Sequence, residues 1–281
     1  MYKALGLSRE AYGPGLAHKI QSCEEKLSSS TGSTLTQPSI RDDEFREDEK
    51  RRELRKQILD ELLHEYRLDN DDDIRLKHGG ARPKEITMDK QAFIVTGLPA
   101  SGKSSISNRL ADKYGAYIVD SDYAKRKFPE FGRHEHGASL VHDEASEVIF
   151  GSDSDGGECL LYALVAFGAN VVTPTIGYDC DRVLKLRDDL RKHGYSVHLV
   201  LVSVERHTST IRAIDRFNRT NRYIPLALIY DSYANDPTLS YYRIRDDENW
   251  ESVNKFCTEN ERKVIYASAF AHLDGEELKY G

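Results

Sequence analysis

Hydrophobic and polar positions along this chain change their period near residue 88. Before it, apolar residues recur at three- and four-residue spacing within 42–68, which predicts one amphipathic helix with a single apolar stripe. After it, short apolar runs alternate with longer helical stretches. The runs predict strands at 92–96, 116–119, 170–173, 197–204 and 264–267. The stretches predict helices around 104–113, 141–150, 157–167, 181–193 and 206–216.

Strand–helix alternation of this kind predicts an α/β fold with a mostly parallel sheet flanked by helices. Ligands of such sheets bind at the carboxyl ends of the strands. The change of period places a domain boundary near residue 88, with a small helical accessory region at 1–87 and the α/β domain at 88–281. Within the accessory region, the polar stretch 28–39 predicts a flexible connector. The run Asn70-Asp71-Asp72-Asp73 is typical of a solvated helix terminus, because it lacks the spacing of a calcium loop.

The first predicted strand leads into a G-x-x-x-x-G-K-S segment and then a predicted helix, the order found in phosphate-binding loops. Glycine backbones and a helix N-terminus form an anion-sized hollow of N–H groups. Lys103 can reach terminal phosphates, and the Ser104 hydroxyl can hold Mg²⁺. The residues predicted to bind the nucleotide are Gly97, Leu98, Pro99, Ala100, Ser101, Gly102, Lys103, Ser104 and Ser105. The segment predicts a nucleoside triphosphate with Mg²⁺ as ligand.

Composition narrows the range of partners. The 281 residues carry a formal charge of −7, which argues against a nucleic-acid partner. No apolar run is long enough for a membrane span, and the N-terminus lacks the apolar segment of a signal peptide. Four widely spaced cysteines indicate reduced thiols and a cytoplasmic location.

Two charged groups are candidates for chemistry beside the loop. Asp120 and Asp122 directly follow the second predicted strand, where one carboxylate can orient an acceptor hydroxyl and take its proton. Alternatively, Asp120 caps the next helix or holds Mg²⁺ through water. The structural interpretation of the pair makes Asp122 part of that N-terminal cap as well. Five arginines lie in 206–222, and one or two of them are expected to bind phosphate oxygens rather than form a solvated helix face.

The segments GLPASGKSS, VDSDYAKRKFPEF and HDEASEVI, in this order and spacing, resemble the zeta-toxin family of bacterial P-loop kinases over about 91–233. The resemblance implies an ATP-dependent kinase that phosphorylates a hydroxyl of a UDP-activated amino sugar, typically UDP-N-acetylglucosamine, as the toxin of a toxin–antitoxin system. Relatives in the superfamily phosphorylate dinucleotides such as NAD, so a kinase of NAD or another nucleotide remains the alternative. A nucleotide-dependent switch without a small-molecule acceptor is the alternative of another class.

Residue roles follow from the same resemblance. Lys103 is then the phosphate lysine, Ser104 the magnesium ligand and Asp122 the base. Arg216 and Arg222 correspond to the two arginines that clamp the phosphates, and Glu147 corresponds to a glutamate that contacts substrate.

One departure from the family pattern concerns the acceptor. Many members carry E-G-T after the third strand, whereas this chain has Thr173-Pro174-Thr175, so Thr175 retains only a hydroxyl for substrate. Zeta toxins are held silent by a helical antitoxin. The accessory region 1–87 therefore has two interpretations, an antitoxin-like inhibitor acting in cis or a structural extension of the core, with a separate antitoxin as the further partner.

Overall fold

The strand that leads into the phosphate loop lies inside a six-stranded sheet. A computed structural model of the protein describes residues 15–29, 32–133, 136–151, 158–220, 222–259 and 263–267. Within them the strands are β1 Gln91–Thr96, β2 Tyr117–Ile118, β3 Val171–Pro174, β4 Ser196–Ser203, β5 Ser252–Cys257 and β6 Lys263–Ala267. Five consecutive residues of β1 are buried, so both faces of the sheet are covered at this strand.

Helices in the described residues alternate with these strands. They are α1 Gly15–Ser29, α2 Asp48–His64, α3 Lys103–Tyr114, α4 Ser121–Lys127, α5 Pro129–Arg133, α6 Gly137–Leu140, α7 His142–Phe150, α8 Leu160–Phe167, α9 Cys180–Lys192, α10 Arg206–Thr220 and α11 Asp236–Ile244. Short 3₁₀ turns lie at Pro38–Ile40, Asp43–Phe45 and Asp71–Asp73, and a π-helical turn at Leu228–Ser232.

The strand order is β2-β3-β1-β4-β5-β6. Neighbouring strands from β2 to β5 pair in parallel, and β6 pairs antiparallel with β5. The predicted α/β fold with a mostly parallel sheet is therefore confirmed. Because the parallel strands share one carboxyl edge, the segments that follow β1, β2, β3, β4 and β5 meet at that edge.

The sequence did not indicate strand β5. Its SVNKFC segment places polar Asn254 and Lys255 between apolar residues, so it shows no continuous apolar run. Asn254 is nevertheless completely buried, and its amide donates to the Ser252 hydroxyl at 3.1 Å. A buried polar side chain inside the sheet interrupts the apolar run, so a pattern based on hydrophobicity did not predict the strand.

Helix α2 is shorter than the single helix predicted over 42–68. The Asp42 side chain accepts a hydrogen bond from the Glu44 backbone N–H at 2.9 Å and caps a separate 3₁₀ turn there. The apolar stripe itself is present, since Leu54, Ile58 and Leu62 are buried in the same hydrophobic core as β1 and α3. The boundary near residue 88 stays a prediction, and the core is continuous across it.

Part of the segment 28–39, predicted to be a flexible connector, is instead held against the core. Thr34 is fully buried, and its hydroxyl donates to Glu144 Oε2 at 2.7 Å. Its backbone N–H donates to the Leu140 carbonyl at 2.9 Å. Residues 30 and 31 lie outside the described residues.

A buried arginine joins α2 to the helices on the other side of the boundary. Arg51 is 1% exposed, and its guanidinium donates to Glu130 Oε1 at 2.8 Å and to Glu144 Oε2 at 2.7 Å. Both glutamates are buried as well. Two buried carboxylates therefore share the guanidinium of Arg51 from the accessory region, and Arg55 Nη1 lies 3.8 Å from Glu144 Oε1 as a second, more distant cation.

Replacing Arg51 with methionine is expected to lower the free energy of unfolding by about 3–5 kcal/mol, because two carboxylates then lose their buried partner. Urea unfolding followed by circular dichroism measures this loss. Arg52→Met on the same helix is the matched control, since Arg52 is exposed. Equal stability of the two variants would show that the buried pairs do not hold α2 in place.

Candidate active site

The phosphate loop spans the turn from β1 to α3. Gly97 has a φ of +149°, and a Cβ there would lie 2.4 Å from the Val202 carbonyl oxygen, so only glycine fits. Gly102 has a φ of +96° and immediately precedes α3. The Ser101 hydroxyl is buried and has no hydrogen-bond partner in the described residues. A glycine-shaped turn, an unsatisfied buried hydroxyl and a helix N-terminus together fit a phosphate group.

Segments after β4 and β5 support this loop from behind. Ser209 donates a hydrogen bond to the Pro99 carbonyl, and Thr258 donates to the Ser101 carbonyl at 2.6 Å. Arg212, on the same helix as Ser209, donates to the Thr258 carbonyl. Arg212 therefore braces the loop, which is a structural use for one of the five arginines.

Lys103, at the start of α3, points along the loop. Its Nζ donates to the carbonyls of Gly97 and Leu98, each at 2.7 Å. Burial lowers the pKa of Lys103 to about 8, although the charges of Asp120 and Asp122 act in the opposite direction. Lys103 and the two aspartates thus belong to one site, and the ammonium is close to its titration point at physiological pH.

This lowered pKa predicts proton uptake when a polyphosphate binds. A bound phosphate raises the pKa of Lys103, so at pH 8 about half a proton enters the complex, and almost none at pH 6. Calorimetric titration with ATP in two buffers of different ionisation enthalpy measures this uptake. Lys103→Arg should remove it while keeping the charge. Binding without uptake at pH 8 would contradict a role of Lys103 at the phosphates.

The two aspartates after β2 have different environments. Asp120 caps α4, because its Oδ1 accepts from the Asp122 backbone N–H at 2.9 Å, as one of the two sequence interpretations expected. Burial and the neighbouring Asp122 charge raise the pKa of Asp120 to about 6. Burial also acts to raise the pKa of Asp122, but Arg222, Lys125 and Arg126 outweigh it and hold that pKa well below its usual range. Asp122 is therefore the permanent carboxylate of the pair.

The arginines expected to clamp phosphate lie at Asp122 and at a third aspartate. Arg222 donates from Nη2 to Asp122 Oδ2, and Lys125 donates to Asp122 Oδ1 at 3.0 Å. Arg216 donates from Nη2 to Asp72 Oδ1 at 2.6 Å. Lysine, arginines and aspartates therefore form a single charged cluster beside the loop.

The remaining predicted site residues lie on three different segments, and Glu147 contacts α2 rather than the loop. Ser104 and Ser105 are in the first turn of α3, with Ser104 exposed. Thr175 follows β3, where its N–H donates to the Val95 carbonyl at 2.8 Å and its chain neighbour Ile176 accepts from the Gly97 N–H. Glu147 instead lies against α2, with its Oε2 3.6 Å from Nη1 of Arg55.

Two residues of the cluster were missed from the sequence. Asp72 belongs to the aspartate run that was interpreted as a solvated helix terminus, which is wrong for this residue, because it contacts arginines from two helices. Arg126 on α4 is only 7% exposed and was not singled out among the basic residues around it. The run of like charges carried no signal that distinguishes one aspartate from its neighbours.

A cavity of about 590 Å³ opens where β4 and β5 end. Its lining residues are Ser203, Val204, Glu205, Arg206, His207, Tyr230, Asn235, Cys257 and Glu259. The described residues contain no group of three or more His, Cys, Asp or Glu side chains placed to hold a metal ion. In the same part of the chain, no helix combines the length and apolar character needed to cross a membrane.

Comparison with known families agrees with this geometry. The family model described as "Zeta toxin" matches residues 82–238, more than half of the chain. The chain belongs to the zeta toxin family. Zeta toxins are kinase toxins of toxin–antitoxin systems, so this member is a nucleotide-binding phosphotransferase by family, fold and loop. No curated protein matches the chain significantly in sequence.

Solved structures share the fold at low sequence identity. The PezAT chromosomal toxin–antitoxin system of Streptococcus pneumoniae matches with a TM-score of 0.58 at 14% identity, over 83% of this chain and 87% of that chain. A complex of AvrRxo1-ORF1 with AvrRxo1-ORF2 matches with a TM-score of 0.48 at 15% identity, over 76% of this chain and 66% of the other. A gluconokinase from Sinorhizobium meliloti matches with a TM-score of 0.34 at 19% identity, over 61% and 84%. The first of these similarities supports the α/β P-loop fold.

Proposed function

We propose that this zeta toxin transfers the γ-phosphate of ATP to a hydroxyl of a UDP-activated amino sugar, UDP-N-acetylglucosamine. The observation that carries the proposal is the placement of Lys103 and Asp122 in one cluster with Arg216 and Arg222. A phosphate cradle, an ionised carboxylate and cations in one site are the parts that phosphoryl transfer requires.

In the proposed reaction the acceptor oxygen bonds to the γ-phosphorus while the bond to the oxygen bridging the β- and γ-phosphates breaks. Asp122 orients the acceptor hydroxyl and receives its proton, which passes to solvent, and ADP leaves. A carboxylate with a low pKa suffices because the transition state is loose and the proton leaves late. Arg216 and Arg222 offset the charge that develops on the transferred group and the leaving oxygen.

Mg²⁺ would be held by the Ser104 hydroxyl, with Asp120 as a partner through water. When bound, the ion shields the charge of the phosphate oxygens. Asp120 suits a contact through water, because its carboxylate already caps α4. The adenine base has a candidate place in the cavity at the ends of β4 and β5, where Arg206 lies over the Tyr230 ring.

A kinase of NAD or another nucleotide is the second candidate. It is favoured by Thr173-Pro174-Thr175, which replaces the family's carboxylate beside the acceptor. Thr175 offers a hydroxyl there, so the site lacks one charged contact for an amino sugar. The family's toxin role, with silencing by residues 1–87 in cis or by a separate antitoxin, applies to either acceptor.

The test is an acceptor comparison. Full-length protein is incubated with ATP and Mg²⁺ and either UDP-N-acetylglucosamine or NAD, and mass spectrometry reads the gain of one phosphate. Phosphorylated UDP-sugar supports the proposal, and phosphorylated NAD supports the second candidate. ATP binding without transfer to either acceptor would reject the proposal and leave another nucleotide as acceptor or a nucleotide-dependent switch.

A test of whether the N-terminal region restrains the kinase needs a point substitution rather than a deletion. Helix α2 contributes Leu54, Ile58 and Leu62 to the common core, so removal of residues 1–87 would expose that core. Substitution of Asp72, whose carboxylate contacts the arginines, is a smaller change.

A further inference from the structure

We propose that the carboxylate of Asp72 is a built-in occupant of an anion site formed by Arg126, Arg216 and Arg222, and that a phosphate of the substrates must displace it. This inference rests on the proposed function, since two of the three arginines are those assigned to the phosphates. It assigns Arg126 to the same site and names the atom through which the N-terminal region restrains the kinase.

The three guanidinium groups converge on one oxygen atom. Asp72 Oδ1 lies 2.6 Å from Arg216 Nη2, 3.1 Å from Arg126 Nη2 and 3.9 Å from Arg222 Nη1. The arginines come from α10, α4 and the segment after α10. Guanidinium groups bind carboxylates and phosphates through the same planar arrangement of donors. A site that holds this carboxylate therefore has the donors for a phosphate oxygen.

Positive charge in the cluster exceeds what its aspartates balance. Five cations, namely Lys103, Lys125 and the three arginines, face the three carboxylates of Asp72, Asp120 and Asp122. Within the described residues, Nε and Nη1 of Arg222 are buried and have no hydrogen-bond partner. The side chain of Arg222 is 11% exposed, so these donors are held in the site with only limited access to water. Unsatisfied N–H groups beside excess positive charge are suited to a further anion.

The turn that carries Asp72 keeps its shape by other contacts. The Asn70 side chain accepts from the Asp72 backbone N–H at 3.2 Å, and Tyr123 donates to Asp71 Oδ1 at 2.7 Å. Below the turn, Lys127 pairs with Glu61 at 2.7 Å. The Asp72 carboxylate contributes nothing to these contacts. It is therefore presented to the arginines at a high effective concentration by a turn that does not need it.

Helix α1 holds the same arginine-bearing segment from its other side. Leu16, Ile20 and Cys23 pack against Ile214, Phe217 and Tyr223 in a separate apolar cluster. Glu24 accepts hydrogen bonds from the Tyr223 hydroxyl and from the Leu226 N–H, the latter at 3.2 Å. The N-terminal region thus contacts α10 and the segment beyond it at two places, one apolar and one ionic. The ionic contact is the one that a phosphate can replace.

The test compares Asp72→Asn with Asp73→Asn in the full-length protein. Both substitutions remove one negative charge from the same turn, and Asp73 is exposed with no arginine at its carboxylate among the ion pairs of the described residues. Tripolyphosphate is the probe, because it carries the charges of the triphosphate without a base. Calorimetric titration gives its dissociation constant for each protein.

We expect Asp72→Asn to bind tripolyphosphate roughly tenfold more tightly than the wild type, because the arginines no longer have an internal anion to release. Asp73→Asn should bind as the wild type does. Asp72→Ser, which replaces the carboxylate with a hydroxyl instead of an amide, should show the same gain in affinity for tripolyphosphate. Unchanged or weaker binding by both Asp72 variants would overturn the proposal. A clearly lowered thermal unfolding midpoint in both would also overturn it, because the carboxylate would then be structural.

The acceptor assay keeps this inference separate from the proposed function. Tighter tripolyphosphate binding by Asp72→Asn, without phosphorylation of any acceptor, would support the anion site and reject the kinase assignment. Phosphorylation of UDP-N-acetylglucosamine by the wild type, with no gain in Asp72→Asn or Asp72→Ser, would support the kinase and reject the role of Asp72.

Discussion

Lys103→Met is expected to lower kcat/KM for ATP about 10³-fold, since the variant loses the cation that faces the terminal phosphates in a partly enclosed site. In the structure the Lys103 ammonium lies on the loop itself, at the Gly97 and Leu98 carbonyls. The same atom is thus within reach of any phosphate held by the loop amides. Steady-state rates of acceptor phosphorylation at varied ATP concentration measure the effect.

Lys113→Met serves as the control for this prediction, because Lys113 lies in the last turn of the same helix and is exposed. It should leave kcat/KM unchanged. If Lys103→Met retained wild-type kcat/KM, the loop would not be the site of the transferred phosphate.

Asp122→Asn is expected to lower kcat about 10³-fold, while the dissociation constant for ATP does not rise. The amide is nearly isosteric but cannot accept the proton of the acceptor hydroxyl. Loss of the carboxylate also frees Arg222 from its present partner, so phosphate binding has no reason to weaken. Single-turnover rates and calorimetric titration separate the two quantities.

Asp60→Asn is the matched substitution for that experiment. Asp60 lies on α2 with its side chain 71% exposed, so kcat should not change. A fully active Asp122→Asn protein would remove Asp122 from the mechanism. A variant that lost ATP binding together with kcat would indicate that Asp122 acts at the nucleotide rather than at the acceptor.

Local patterns in the sequence predicted five of the six strands that the described residues form and the segment of the phosphate loop. The loop is contiguous, and its glycines, Lys103 and Ser104 are needed at fixed spacing. The segments 92–96 and 197–204 are mostly apolar, as is typical of buried parallel strands, and they occur as β1 and β4. Strand β5 was not predicted, because buried Asn254 interrupts its apolar pattern.

The charged cluster was only partly predictable, because its contacts join distant parts of the chain. Asp72 and Arg216 are 144 residues apart, and their pairing depends on how the accessory region packs. Arg51 shows the same limit, since it was one charge among many on α2 and is buried between Glu130 and Glu144. Periodicity identified the apolar stripe of α2, but it contained no information about which charged residues that stripe would carry into the interior.

The pairing of the cluster connects the accessory region with the two proposed clamp arginines. Arg216 contacts Asp72 and Arg222 contacts Asp122, so both proposed clamp arginines are already engaged with carboxylates. In the proposed mechanism, binding of a triphosphate exchanges these carboxylate partners for phosphate oxygens. The affinity for substrate is set by the difference between the two sets of ion pairs.

A crystal structure of the protein with Mg²⁺ and a non-hydrolysable ATP analogue tests this exchange most directly. We expect the analogue's phosphates in the loop, with Lys103 Nζ moved from the Gly97 and Leu98 carbonyls to a phosphate oxygen and Arg216 moved from Asp72 to the γ-phosphate. An analogue bound elsewhere, with Lys103 still on the loop carbonyls and Arg216 still on Asp72, would contradict the account.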